Sequence, residues 1–508
     1  MSTKASAETE SQPENAPLSR DLGLLDATAI VMGSMIGSGI FITSAESSRL
    51  VGSPGWLMVA WLVAGVLTIC GALCAGEVAA MMPHAGGQYI FLREAYGKPI
   101  GFLFGWSTFL VVQTGTIAAV AVAFAKFVGV FLHNISADRY LIPPIELGAY
   151  AISLSTQQAV ALLLIVVLTV LNMQGLKAGS LLQNTFTITK TVALIGLIVI
   201  GLIGANRAAA AFTSSWWDPG ANGWTLPRAD KDVAALGVAG TLGFVMLLGK
   251  ALVGPLFSQT AWNTVTFTGG ETKDPGRVLP RALLLGTSSV VLLYLMANAG
   301  YILTLPFEGI QNADQDRVGT ATMGAVLGPI GVSIMAAAIL ISTSGCVNGL
   351  ILSGARVYYA MARDGLFFKP IGTTNKNHVP AVALVLQGIW SCLLTLPRTV
   401  EVAKTAQTPG KYGNVYGQLL EYITSADLSF YTIMVASVIV LRWKQPGAER
   451  PYRTPLYPIP ALIYIGLACL IILDLLVVVP RTSGIGFLLV LTGIPVYYLW
   501  TAARKSAA

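Results

Sequence analysis

Long apolar stretches, each close to the length of a membrane-crossing helix, follow one another along almost the whole chain. A helix needs about 20 apolar residues to cross the hydrocarbon core of a bilayer. The pattern predicts an all-α integral membrane protein with 12 transmembrane helices, numbered here as spans one to twelve in chain order. The candidate spans are roughly 24–48, 55–81, 101–131, 157–174, 182–204, 236–268, 282–304, 325–361, 380–396, 418–442, 458–479 and 483–502.

The polar segments predict the orientation of the chain. Residues 1–20 are rich in Ser, Glu and Pro, which is typical of a disordered tail, and the membrane domain then covers 21–505. With the N-terminus inside, 18 of the 31 Lys and Arg residues fall in cytoplasmic segments, nine in outer loops and four in or beside spans. Positive residues concentrate on the cytoplasmic side. We therefore expect a multi-pass protein of the plasma membrane with both termini in the cytoplasm.

Composition narrows the class of protein. Hydrophobic residues make up 54% of the chain and charged residues only 11%, against about 25% charged residues in soluble proteins. The net charge of +7 is spread over short loops, so it does not indicate a nucleic-acid partner. The five cysteines lie in apolar segments and the three histidines are scattered. This pattern is not typical of a metal site, a cofactor site or a catalytic centre, so we expect neither an enzyme nor a cofactor.

Span one is interrupted by a glycine-rich stretch, GSMIGSGIF over residues 33–41. Gly37 and Gly39 flank Ser38 near the middle of the membrane. Unwinding here would free backbone N–H groups at the start of a second half-helix, where the positive end of the helix dipole favours a carboxylate. The carbonyls that end the first half-helix would suit an ammonium group, so the break matches an amino acid. The alternative is close helix packing through small residues.

Span six contains a second interruption, GPLFSQTAWNTVTF over residues 254–267. Pro255 removes a backbone donor, and a polar run follows at 258–260. Polar groups inside a membrane usually face a cavity or another helix. Phe257 is a candidate aromatic cover over a bound substrate. The alternative is a proline kink whose freed backbone groups are satisfied by neighbouring helices.

The two interrupted spans begin about 220 residues apart. Many secondary transporters consist of two inverted repeats with broken helices at corresponding positions. The spacing fits two inverted five-helix repeats, about 22–205 and 236–442, with two extra helices over about 455–502.

A few charged residues lie inside or beside the spans. Lys190 in span five is a functional candidate because a lysine inside a membrane should point inward, although snorkelling to the cytoplasmic interface is the alternative. Lys250 reaches either the outer interface, which we favour, or an outer vestibule. Glu77 forms either a cytoplasmic gate or an ordinary interfacial ion pair. Asp427, at the start of span ten, and Asp474 in span eleven are weaker candidates.

At these motifs the chain resembles the amino acid–polyamine–organocation family of transporters, and in particular its L-type members and their bacterial relatives. The resemblance covers about residues 22–500. It implies the fold of two inverted five-helix repeats with broken helices one and six and two C-terminal helices. The stretches that carry it are GSMIGSGIF (33–41), PHAGGQY (83–89), AWNTVTFTGGETKDPGRVLPRA (261–282), CVNGLILSGARVYYAMARDG (346–365) and ERPYRTPLYPIPALIY (449–464).

The resemblance also implies roles for individual residues. The N–H groups of the first break would hold the substrate carboxylate, carbonyls of both breaks would receive the α-ammonium group, and Phe257 would act as the aromatic gate. Lys190 would take the place of a sodium ion, in contact with the first break and, on span eight, near Ser342 and Cys346. The expected substrate-binding residues are Met35, Gly37, Ser38, Gly39, Phe257, Ser258, Gln259 and Thr260.

The residues around the breaks favour small or polar neutral L-amino acids. The run after Phe257 is more polar than in typical L-type members, and no acidic residue is placed near the breaks to bind a cationic side chain. We expect sodium-independent exchange or proton symport. The alternatives are a carrier of amines or polyamines and a transporter-like amino-acid sensor. No cysteine lies in 132–156, so we expect no disulfide-linked partner subunit.

Overall fold

The computed structural model describes residues 22–83, 86–174, 179–205, 214–238, 240–376, 379–402 and 410–505. The tail predicted over 1–20 lies outside these residues.

Helices long and apolar enough to cross a membrane dominate the described residues. Nine qualify singly, and a tenth span is a bent pair, Leu24–Met35 and Gly39–Val51, with an angle of 46° between its halves. Two further apolar helices, Ile188–Ile203 and Ala381–Leu394, are shorter. The nine are Pro54–Met81, Lys98–Phe131, Thr156–Met173, Gly240–Glu271, Pro275–Thr304, Val318–Arg363, Val415–Lys444, Ile459–Val478 and Pro480–Ala502. The protein is therefore a helical, multi-pass membrane protein.

Local sequence explains where several of these helices begin and end. Gly52 adopts a left-handed backbone conformation that ends the helix Gly39–Val51, and Pro54 stands in the first turn of the next helix, where its missing N–H costs nothing. Ser155 and Gln158 form a capping box at the start of span four, because each side chain bonds the backbone of the other.

Shorter helices lie between the spans. The segment after span two forms the helix Gly87–Tyr96. This helix lies on the side that the distribution of Lys and Arg predicts to be cytoplasmic; it is called the cytoplasmic helix, and the two sides are called inner and outer, after that prediction. Span three contains one π-helical turn, Thr108–Val112. The remaining short helices are Ser214–Trp216, Gly220–Asn222, Leu226–Ala229, Lys231–Ala235, Phe307–Gln311, Asp314–Asp316 and Lys369–Gly372.

A four-stranded antiparallel sheet joins the two outer segments that follow spans three and nine. The all-α prediction is wrong for these segments. The first strand stands at the edge of the sheet, where Pro143 and Pro144 are tolerated although they cannot donate to the ladder, and these prolines conceal the strand in the sequence. The strands are β1 (Tyr140–Leu147), β2 (Tyr150–Ser155), β3 (Pro397–Val402) and β4 (Lys411–Tyr412).

Span seven, Pro275–Thr304, packs against the first interrupted span and against the helical segment Trp262–Glu271 that follows the second break. Span seven lies along spans one, two and five. Small residues allow close approach at these crossings: a Cβ added to Gly286 would lie 2.6 Å from Val31. The outward faces of spans four and five carry exposed residues such as Leu163 and Ile203, which suit contact with lipid. The breaks are therefore held inside the helical bundle.

Candidate functional site

The first break is a short non-helical link between two half-helices. Helix Leu24–Met35 ends at Ile36, whose backbone is extended, and the second half-helix begins at Gly39. Residues 36–38 therefore connect the halves, where the sequence predicts. The second half-helix presents its N-terminal end to the break, so free N–H groups and the positive dipole end point there.

Two tyrosines of span seven bind carbonyls at this break. The Tyr294 hydroxyl donates to the Met35 carbonyl at 2.9 Å, and the Tyr301 hydroxyl donates to the Ile40 carbonyl at 3.1 Å. Both side chains are fully buried. A substrate ammonium group at Met35 would share that carbonyl with Tyr294, since a carbonyl oxygen has two lone pairs.

The second break lies between helix Val253–Ser258 and the 3₁₀-helix Trp262–Glu271. Ala261 has a positive φ of 63°, a left-handed conformation that is costly for a residue with a side chain. The Phe257 carbonyl accepts the Thr260 hydroxyl at 2.8 Å and the Thr260 N–H at 3.2 Å. The predicted interruption is thus present, and here one of its expected ammonium acceptors is bonded within the chain.

The outer halves of the two broken spans pack against each other as a close antiparallel pair. A Cβ added to Gly39 would lie 2.8 Å from the Ser258 Cβ, and one added to Gly254 would lie 2.5 Å from the Thr43 Cβ. One turn further out, the Ser47 hydroxyl donates to the Ala251 carbonyl at 2.9 Å. These contacts between the two half-helices place the two breaks side by side.

Gly37 and Gly39 differ in their surroundings. Gly39 has no room for a methyl group, so close packing alone accounts for it. A Cβ added to Gly37 would make only ordinary contacts, 3.9 Å from the Met35 oxygen and 4.0 Å from the Cys346 sulfur. Close helix packing therefore explains Gly39 but does not explain Gly37.

Phe257 and Ser38 meet a third side chain, Tyr416, on span ten. The rings of Phe257 and Tyr416 lie edge to face with centroids 6.4 Å apart. The hydroxyl oxygens of Ser38 and Tyr416 are 3.3 Å apart. All three side chains are buried, so the predicted gate residue lies between the two breaks and span ten.

The polar run after Phe257 is directed into the protein. The Ser258 hydroxyl donates to the Gly254 carbonyl at 2.7 Å. Gln259 lies against span two, with its Nε2 atom 3.5 Å from the Trp61 carbonyl and its Oε1 atom without a partner among the described residues.

Lys190 points inward, as predicted, and does not snorkel. Only 3% of Lys190 is exposed, and its ammonium group donates to the Gly33 carbonyl in the last helical turn before the first break. Cys346 of span eight lies beside the break, with its sulfur 4.0 Å from the position that a Cβ on Gly37 would take. The Ser342 hydroxyl is buried and has no hydrogen-bond partner among the described side chains.

On the outer side, the carboxylate of Asp316 links the ends of three spans through ion pairs and a hydrogen bond. Its carboxylate bonds Arg49 of span one at 2.8 Å, Lys126 of span three at 3.3 Å and Asn414 at the start of span ten at 3.3 Å. Burial alone would raise the pKa of Asp316, but Lys126 and Arg49 outweigh burial and hold the pKa below its usual value.

On the inner side, a chain of hydrogen bonds links the second break to the cytoplasmic helix Gly87–Tyr96. The Ala261 N–H donates to the Tyr431 hydroxyl at 3.3 Å, and that hydroxyl donates to the Asn263 side chain at 3.1 Å. Asn263 in turn donates to Gln88 at 2.7 Å. The chain ties span ten and the cytoplasmic helix to the break.

Glu77 forms a buried ion pair at the inner ends of spans two and ten. It is 1% exposed and accepts two bonds from Arg442 of span ten, at 2.8 and 2.7 Å, and one from the Thr454 N–H at 2.7 Å. The pair is buried, and its action as a gate stays a prediction.

Lys250 and Asp427 do not lie where the sequence led us to expect them. Lys250 is mostly buried, pairs with Asp230 at 2.7 Å and lines a narrow cavity with Glu46 and Glu421, so the predicted interfacial position is wrong. Asp427 lies near the middle of the helix Val415–Lys444, not at its start.

Asp427 also corrects a second expectation. It is one helical turn from Tyr431, which bonds the second break, so an acidic residue does lie close to that break. Asp474 has a buried Oδ2 atom directed at Gly249 and without a partner among the described residues.

Four buried tyrosines were missed from the sequence although they organise both breaks. They are Tyr294, Tyr301, Tyr416 and Tyr431. A tyrosine in the middle of a span needs a partner for its hydroxyl, and this is the signal that would have identified them as candidates.

Comparison with known proteins agrees with this geometry. The sequence model of the amino acid permease family matches residues 22–500. The mouse large neutral amino acids transporter small subunit 2 is 29% identical over 499 residues, covering 98% of this chain and 84% of its own length. The serine/threonine exchanger SteT of Bacillus subtilis is 27% identical over 489 residues, covering 96% of this chain and 98% of its own. The mouse Asc-type amino acid transporter 1 is 25% identical over 505 residues, covering 97% and 84%.

The family match spans both breaks, the cytoplasmic helix and the two last spans. It confirms the resemblance inferred from the motifs and the expectation that the protein is not an enzyme. The chain therefore belongs to the amino acid permease family and is a multi-pass membrane transporter.

Proposed function

We propose that the protein exchanges small or polar neutral L-amino acids across the plasma membrane without sodium, at a site between the breaks of spans one and six. The observation that carries this proposal is the Gly39–Ser258 contact, which sets the two breaks side by side. An α-amino acid carries a carboxylate and an ammonium group on one carbon. The free N–H groups of one break and the carbonyls of both breaks complement these two charges.

The number of helices supports the proposed architecture. The nine long spans, the bent pair and the two shorter apolar helices together make twelve. Their order is compatible with two inverted five-helix repeats over about 22–205 and 236–442, followed by two extra helices over about 455–502. Alternating access would then consist of movement of one group of helices around the site, with both termini in the cytoplasm.

Lys190 supports sodium independence. Its buried ammonium group bonds the Gly33 carbonyl, so a positive charge already lies between span five and the first half-helix, next to the first break. A sodium ion placed there would be repelled by that charge.

The size of the site and one relative support the substrate class. Ser258 and Thr43 fill the space next to Gly39, which disfavours a large aromatic side chain in that direction. SteT, a serine/threonine exchanger by name, matches this chain over almost all of its own length. No cysteine lies in the outer segment 132–156, and we propose on this ground that the protein works without a disulfide-linked partner.

Counterflow in proteoliposomes tests the proposal. Purified protein is reconstituted in sodium-free buffer, vesicles are loaded with one unlabelled amino acid at a time, and entry of labelled serine is followed. We expect accumulation with alanine, serine or threonine inside and none in empty vesicles. A Phe257→Ala variant with the same thermal stability should lose most of this accumulation.

Two other results would replace the proposal. Accumulation driven by amines or polyamines but by no amino acid would identify an amine carrier. Binding of amino acids to the purified protein without flux in either direction would identify a sensor.

A further inference from the structure

Asp427 is a buried carboxyl group that the exchange site does not use. It is only 7% exposed, although it lies near the middle of a membrane-spanning helix, Val415–Lys444. Among the described residues it has no hydrogen bond and no ion pair, and no cation interacts with it. An ionised carboxylate in such a place costs far more free energy than a neutral acid.

The helix geometry directs Asp427 toward the second break. It follows Tyr416 by 11 residues and precedes Tyr431 by four, and at 3.6 residues per turn all three lie on one face of span ten. Tyr416 contacts Phe257, and Tyr431 bonds Ala261 and stacks on Trp262 with ring centroids 5.0 Å apart. Asp427 therefore lies one turn outward from the contact between span ten and the break.

The titratable groups around Asp427 do not supply a counter-charge. The phenols of Tyr431 and of Tyr464 on span eleven interact with it. On span two, Cys70 and Cys74 face Tyr464, and Glu77 lies further toward the cytoplasm.

The nearest charges on the other packed elements are engaged elsewhere. Glu421, six residues outward on the same helix, accepts a bond from Thr482 of span twelve. Lys126 of span three bonds Asp316 at the outer end, and Arg93 of the cytoplasmic helix pairs with Glu94 and Asp364. Residues 252–262 of span six contain no charged side chain.

We propose that Asp427 binds a proton that is carried inward with the substrate, so that the exchanger also performs proton symport. This inference rests on the proposed amino-acid function and adds its coupling ion. In the closed arrangement Asp427 holds the proton as a neutral acid. Opening of the inner side separates Tyr431 from Ala261 and Asn263, admits cytoplasmic water to Asp427, and allows the carboxyl group to release its proton to that water.

The test separates the proton from the exchange reaction. Wild-type vesicles without internal substrate receive labelled serine while the outside is one pH unit more acidic than the lumen, and a trapped dye reports lumenal pH. One proton per serine predicts accumulation of up to about tenfold and acidification of the lumen. Counterflow at equal pH on both sides is measured in the same preparation.

The isosteric variant Asp427→Asn should lose gradient-driven accumulation and acidification but retain counterflow. Asp474→Asn is the matched control, a half-buried aspartate on span eleven that faces Gly249 on the outer part of span six, and it should behave as wild type. If Asp427→Asn also loses counterflow, the variant Asp427→Glu, which keeps an ionisable carboxyl group, is measured instead. Acidification per transported serine equal to wild type supports the proposal, and its absence overturns it.

Counterflow without any proton signal in the wild type, or gradient-driven accumulation retained by Asp427→Asn, would overturn the proton assignment and leave amino-acid exchange intact. Absence of counterflow in the wild type would refute the proposed function itself.

Discussion

The two glycines of the first break, separated by one serine, should respond differently to the same methyl group. Gly39→Ala would place its Cβ 2.8 Å from the Ser258 Cβ and closer still to the Ser258 hydroxyl, and overpacking of this kind costs roughly 1–3 kcal/mol. We expect a lower melting temperature, partly restored in the double variant Gly39→Ala/Ser258→Gly. Thermal unfolding in detergent measures this effect.

Gly37→Ala should instead retain wild-type stability, because its Cβ meets no atom closer than 3.9 Å. Its effect should fall on substrate affinity, measured as the half-saturating serine concentration in counterflow. Unchanged affinity in a folded Gly37→Ala protein would contradict the role given to the backbone at Gly37.

Lys190 is the second residue whose role can be isolated. Lys190→Met removes the hydrogen bond to the Gly33 carbonyl, and bonds to charged groups contribute about 1.5–3 kcal/mol. We expect a folded protein whose counterflow rate falls at least tenfold, with partial activity in Lys190→Arg. Full activity of Lys190→Met with an unchanged pH response would refute the assigned role.

At the scale of helices, Asp316 should determine how readily the outer side opens. Asp316→Asn removes the charge that holds Arg49 and Lys126, on spans one and three. We expect faster labelling of Cys346 by a membrane-impermeant maleimide added outside, read by mass spectrometry of the Cys346 peptide. Asp274→Asn, at an exposed ion pair, is the control.

The pH dependence of the Asp316 ion pairs follows from the lowered pKa of Asp316. A carboxyl group whose folded-state pKa lies below its unfolded value stabilises the fold above the unfolded value, about 3.9, and loses this contribution as pH falls through the folded pKa. The stabilisation that the Asp316 ion pairs contribute should therefore not change between pH 5 and 8. An increase of Cys346 labelling within that range in the wild type, abolished in Asp316→Asn, would contradict this.

The association of the inner ends of spans two and ten, and with it the stability of the protein, depends on Glu77. Glu77→Gln leaves the Arg442 and Arg450 guanidinium groups without their carboxylate, and breaking a buried pair typically costs about 3–5 kcal/mol. The melting temperature in detergent should fall markedly, whereas Asp274→Asn should leave it unchanged. Equal melting temperatures for both variants would show that the pair contributes little.

At the scale of the molecule, the sequence predicts those structural features that depend on neighbouring residues in the chain. Glycine and proline interrupt the apolar pattern at Gly37 and Pro255, so the positions of both breaks can be predicted from the amino-acid sequence alone. Contacts between distant segments have no such signal in the local sequence. Tyr294 reaches Met35 across 259 residues, and Ser38 meets Tyr416 across 378.

The outer sheet and the charged residues show the same limit. β2 and β3 pair across more than 240 residues of chain, and local sequence does not show which distant segment a strand pairs with. Lys250 could be assigned to an outer position from its depth in span six, but its burial depends on Asp230 in a preceding loop.

The central claim is that a substrate needs both of its charged groups to occupy the paired breaks. Counterflow with incomplete substrates tests it most directly: vesicles are loaded with alanine, with propionate, which lacks the amine, or with ethylamine, which lacks the carboxylate, all at one concentration in sodium-free buffer. We predict that only alanine drives accumulation of labelled serine. Accumulation driven equally well by ethylamine or by propionate would contradict the site described here.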